Sequence, residues 1–154
     1  MKTFLFALIT LIFISGCATK NAFTKLGLED SEQKAIENTR CAKVISGDIV
    51  GGIFSAIYLN NIYEDINKEH KMFYISMYLK EKSDNFNVTL NNEKPIQIKK
   101  LPDFNKYSHL LPSKNKWTQN YLVTFKSAPN SDLNLSIDSG QYSSGPLSYS
   151  KDQQ

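Results

Sequence analysis

KMFYISMYLKEK, residues 71–82, decides the fold class. Phe73, Ile75, Met77 and Leu79 fall on one face of an extended chain, and Tyr74, Ser76, Tyr78 and Lys80 fall on the other. Successive side chains of a strand point to opposite sides, so this period-two alternation, rich in aromatic residues, predicts a strand with one buried face. An amphipathic helix would instead place apolar residues at i, i+3, i+4 and i+7.

The same pattern extends in both directions. Upstream, IVGGIFSAIYLNNIY (49–63) is apolar on both faces and predicts a buried central strand, with Gly51-Gly52 marking a bulge or a close backbone approach. That run is too short to cross a bilayer as a helix, which needs about 20 residues. Downstream, Phe86, Val88 and Leu90 alternate with Asn87 and Thr89, and Asn91-Asn92-Glu93 turns the chain. Pro95 leads into Ile96 and Ile98, alternating with Gln97 and Lys99, which predicts a hairpin. Tyr121, Val123 and Phe125, then Leu133, Leu135 and Ile137, repeat the alternation on either side of a Pro129–Asp132 turn. Gly140 to Pro146 reads as a further turn, Leu147–Tyr149 as a last edge strand, and Ser150–Gln154 as a polar tail.

About six to eight short strands without alternating helices favour a mainly β, antiparallel β-sandwich of immunoglobulin-like or related Greek-key order, with a small barrel as the alternative. The expected division is a signal peptide over 1–16, a lipidated N-terminus and short, partly helical tether over 17–45, and the β-sandwich domain over 46–154. Within the tether, Asp30 or Ser31 could cap a helix running through Ala42, with Gln33 three residues after Asp30. Its apolar stripe of Ala35, Ile36 and Ala42 is thin.

The N-terminus carries the clearest functional signal. Met1-Lys2 is followed by an apolar run from Phe4 to Ile14, broken only by Thr10. A basic start, a short apolar run and small residues after it make a secretory signal. Ile14-Ser15-Gly16-Cys17-Ala18 resembles the lipobox of bacterial lipoproteins. The resemblance implies that Cys17 is acylated on sulfur and becomes the first mature residue, so that the N-terminal lipid holds the chain in a membrane. Ala18, rather than Asp, after that Cys points to the outer membrane, with the periplasmic or surface face open.

Composition excludes several functions. Removing the signal takes one of the 18 Lys and Arg against 15 Asp and Glu, so the mature chain is near neutral and carries no nucleic-acid footprint. No paired His/Cys spacing, calcium loop or glycine-rich phosphate loop occurs, so no metal, no cofactor and no enzymatic activity are expected. His70 and His109 read as surface-loop histidines. Cys41 is left as an odd thiol, open to an intermolecular bridge or chemical reactivity, with a small, partly buried packing role preferred. Asp132-Leu133-Asn134-Leu135-Ser136 is similar to the extended bacterial glycosylation signal, although the same residues read as a strand.

The connector LPDFNKYSHLLPSKNKW (101–117) has few strand signals. Its Phe104, Tyr107, His109 and Trp117 could form an aromatic binding patch, with Lys106, Lys114 and Lys116 at the rim. They could equally plug an open end of the domain.

The lipobox, the YISMYLKEK strand, KKLP, WTQNYLVTF and the GQYSSGPLSY ending together resemble small uncharacterised lipoproteins of epsilonproteobacteria. That resemblance implies an immunoglobulin-like sandwich and, in some relatives, surface adhesion. The expected function is a lipid-anchored outer-membrane lipoprotein displaying a non-catalytic interaction domain for a protein partner. The alternative is a periplasmic structural or envelope-assembly accessory.

Overall fold

The computed structural model describes residues 29–66, 69–80, 85–111, 117–127 and 132–149. Cys17, the signal segment, the Pro129 turn, Lys114, Lys116 and the polar tail lie outside the described residues. Among the described residues one α-helix, α1 (Asp30–Asn38), precedes nine strands. These are β1 (Thr39–Ser46), β2 (Ile49–Tyr58), β3 (His70–Leu79), β4 (Asn87–Leu90), β5 (Gln97–Leu101), β6 (Gln119–Lys126), β7 (Leu133–Ser139), β8 (Tyr142–Ser144) and β9 (Leu147–Tyr149).

All nine strands belong to a single sheet in the order β4-β7-β8-β1-β2-β3-β6-β5, with β9 also on β7, and every pairing is antiparallel. The expected immunoglobulin-like sandwich is therefore incorrect. The short strand β8 bonds β7 on one side and β1 on the other. Strands that a sandwich would place in a second sheet thus join the first. The sheet curls on itself and stays open as a half-barrel, with β4 and β5 as its end strands. Alternation cannot tell these folds apart, because both bury every second residue.

Curling creates a concave interior that the alternating residues fill. Phe54, Ala56 and Tyr58 of β2 stand opposite Met77, Ile75 and Phe73 of β3; the last two in turn oppose Tyr121 and Val123 of β6. These join Val88, Leu133, Leu135, Ile137 and Leu147 in one buried cluster. Tyr149 of β9 closes it: its ring lies 5.4 Å from Phe73, and its hydroxyl donates a 2.7 Å hydrogen bond to the Ala56 carbonyl. A residue paired to β7 is thereby tied to β2 across the interior.

Two expectations about register are revised. Residues 39–45, assigned to the tether, belong with Ser46 to β1, which pairs along its length with β2. The helix stops at Asn38, where the Asn38 side-chain amide donates to Lys34 O at 2.8 Å and the Thr39 hydroxyl to Ala35 O at 2.6 Å. Its N-cap is Glu29 rather than Asp30 or Ser31, with the Glu29 amide donating to the Glu32 carboxylate at 3.1 Å. The expected hairpin of β4 with β5 does not form. Asn91 and Asn92 do make a tight turn with φ of 52° and 67°. However, β4 pairs with β7 and β5 with β6, and only a Leu90–Glu93 bridge joins the arms.

Gly51 and Gly52 do both things read from them. The β1–β2 register jumps from Val44↔Gly52 to Ile45↔Val50, so Gly51 is the extra residue of a bulge. A Cβ on Gly51 would strike the Tyr142 ring, 2.6 Å from Cε1. On Gly52 it would collide with the Tyr78 carbonyl.

Candidate functional site

The convex face of the sheet is half covered and half bare. Ile57, Tyr74 and Leu122 form one cross-strand row, and the chain folds back over it. The cover comprises Ala35 of α1, Leu59 and Ile62 after β2, and Tyr107, Leu110 and Leu111 of the connector.

Asparagines organise that cover. Asn61 donates to the Asn38 side-chain oxygen at 3.0 Å, which ties the turn after β2 to the end of α1. Asn60 clamps the start of β3, donating to His70 O and accepting from the Met72 amide, both at 2.8 Å. His70 is thus half-buried at the head of a strand rather than in a loop. In the connector, Asn105 donates to Pro102 O at 2.8 Å and accepts from the Tyr107 amide at 2.9 Å, which turns Tyr107 inward.

The four aromatic connector residues are not one patch. Tyr107 is buried, with its ring 5.7 Å from Tyr74 and 6.2 Å from Tyr63, so it plugs the outer core. His109 is exposed, with Nε2 3.3 Å from the Tyr63 hydroxyl. Burial, with the neighbouring Tyr107, raises the Tyr63 hydroxyl above its ordinary range. Phe104 is 82 % exposed. Trp117, 74 % exposed, sits at a different feature.

That feature is a trench beside the covered row. Cys41, Ser55 and Ser76 are in register across β1, β2 and β3 and form a floor of small side chains. One wall is the covered row, where Thr39 and Leu111 reach the rim. The other is the Ile53–Tyr78 cross-strand pair. Trp117 and Thr118, just before β6, close one end, placed there by the Met77↔Gln119 register. The cavity measures about 570 Å³, within the range of small-ligand sites of roughly 300–1,000 Å³.

Sequence reasoning missed this trench, because its floor and walls come from three strands whose order it left open. A signal existed in the outward residues of 71–80: Tyr74, Ser76 and Tyr78 place one small residue between two large ones.

Cys41 is exposed rather than partly buried, with Sγ 3.1 Å from the Ser55 hydroxyl. Ile45, Val50 and Ile53 extend the apolar surface along the same face, at 41 %, 46 % and 53 % exposure. Asn134, of the glycosylation-like motif, lies outward on β7 and accepts a 2.8 Å hydrogen bond from Ser148. Among the described residues no group of three or more His, Cys, Asp or Glu could hold a metal, and no helix is long and apolar enough to cross a membrane.

Comparison with protein-family models, curated proteins and solved structures finds no match to the chain. The functional reading therefore rests on the trench and on the N-terminal sequence.

Proposed function

We propose that the protein is a lipid-anchored outer-membrane lipoprotein, held through Cys17, whose curled sheet is a non-catalytic binding module that takes its ligand in the convex-face trench. The trench carries this reading. Contiguous exposed apolar surface next to a concave, polar-floored cavity is the usual mark of a recognition site. Here Ile53, Tyr78 and Trp117 are exposed while comparable residues on the same face are covered. The anchor is supported by Ile14-Ser15-Gly16-Cys17, which follows a short apolar run.

Two experiments test the two parts. Cys17→Ser is expected to abolish fatty-acid labelling of the protein; continued labelling would remove the anchor. For the trench, a benzophenone amino acid replaces Ile53 in one variant and Phe104 in another, and intact cells are irradiated. Adducts at position 53 and not at 104 are expected. Adducts at 104 alone would move the site to the connector.

A further inference from the structure

We infer that the turn end of the β1–β2 hairpin is a docking surface for the bilayer that carries the anchor. The inference rests on the lipid at Cys17 and says how the displayed domain meets that membrane. Ile45 pairs with Val50 and Ser46 with Ile49, and a Gly47-Asp48 turn with Gly47 at a φ of 56° joins the strands. Val44 is buried, so Ile45 and its partner Val50 face outward. Ile49, at the turn itself, is 60 % exposed. Three exposed aliphatic side chains thus meet at one end of one hairpin.

The length of the tether selects the occupant. Residues 18–28 lie between Cys17 and Glu29 and reach at most about 40 Å, at roughly 3.5 Å per residue. The 9 residues of α1 and the 8 of β1 place the hairpin turn no more than about 40 Å from Glu29, at roughly 1.5 and 3.3 Å per residue. The turn can therefore touch the membrane, and the membrane is never far from it. Docking is intramolecular, so a weak apolar contact is enough to populate it. A second copy is a poorer occupant. Three half-exposed aliphatic residues offer a few hundred Å² at most, against roughly 800 Å² per partner in a stable interface.

Flanking charges set the depth. Asp48 is exposed in the turn, and a carboxylate is costly in hydrocarbon, so the contact is interfacial rather than spanning. Lys43, exposed on β1, and Lys80, whose amide donates to Gly51 O at 2.7 Å, stand on either side of β2. Their stems can lie along the aliphatic surface while the ammonium groups reach headgroup phosphates.

The test uses the full-length lipidated protein in phosphatidylcholine and phosphatidylglycerol vesicles whose acyl chains carry bromine, a tryptophan quencher confined to the hydrocarbon. Trp117, the chain's single tryptophan, is removed as Trp117→Phe. One tryptophan is then returned as Ile49→Trp or, as a control, as Ile96→Trp, a similarly exposed residue beside the end strand β5. Quenching severalfold stronger for Ile49→Trp is expected, and adding Val50→Asp should lower it to the level of the control. Ile45→Trp repeats the measurement should Ile49→Trp lower the thermal midpoint.

Equal quenching at the two positions, or none at either, would overturn the docking surface. So would adducts between two copies from a benzophenone amino acid at position 45 without quenching, which would assign this end to a second copy. Flotation with the vesicles separates the anchor from the docking surface. A protein that floats without quenching removes the docking surface alone, and one that does not float removes both.

Discussion

Tyr149 and Asn91 show how single side chains fix this architecture. Burial, the largest cause, pushes the Tyr149 hydroxyl well above its ordinary range, with Arg40 opposing the shift in part. The proton that is held donates to Ala56 O. Because the folded pKa lies above the unfolded one, the stability it contributes is complete below about pH 10 and is lost as pH rises further. Tyr149→Phe is expected to cost about 1 kcal/mol at neutral pH and to flatten the alkaline fall in stability, as read from urea midpoints between pH 8 and 11. Asn91 occupies a positive φ, exchanges hydrogen bonds with the Asn134 backbone, and donates to Asp132 O at 3.0 Å. Asn91→Ala should therefore destabilise by about 1–2 kcal/mol in the same assay, through the strained turn and the lost side-chain bonds together. Both residues were legible in part. The Asn91-Asn92 turn follows from the residue types, whereas the partner of Tyr149 is 93 residues away and nothing local announces it.

At the scale of elements, the two glycines of β2 separate two kinds of close approach. Gly52 faces a backbone carbonyl of β3, which cannot move without breaking the ladder, while Gly51 faces the side-chain ring of Tyr142. Gly52→Ala is expected to lower stability more than Gly51→Ala, within the usual overpacking range of about 1–3 kcal/mol. Equal effects in thermal melts would contradict that geometry. β2 was readable as a continuous apolar run, and β3, β6 and β7 because every second residue is a large apolar one, although only β7 alternates cleanly in burial. β1 escaped reading: TRCAKVIS buries only Val44 fully, so its inward face is almost without large apolar residues. β5 was legible as a strand but not in its pairing, since all but its last residue are exposed and carry no partner signal. As an end strand it is guarded by lysine, a common defence against edge pairing. Lys99→Ile should raise concentration-dependent association, measured by light scattering.

The described strands form one curled sheet whose concave side is filled and whose convex side is divided between cover and trench. The mainly β class followed from alternation. The number of sheets did not, because it depends on β8, three residues long and joined to β7 and β1 by two residue pairs each. The candidate site was legible only at Trp117. Tyr107, grouped with it in sequence, turns inward through the Asn105 hydrogen bonds, and the trench floor brings together Cys41, Ser55 and Ser76 from three strands. The central claim is that this trench receives the ligand, and Cys41 on its floor offers the most direct measurement. The full-length protein is treated with a maleimide, with and without an envelope extract from its own cells, and alkylation of Cys41 is followed by peptide-resolved mass spectrometry. Occupancy of the trench predicts that Cys41 alkylation slows several-fold in the extract and recovers in Trp117→Ala and Tyr78→Ala variants. Alkylation at the same rate with and without extract would contradict it.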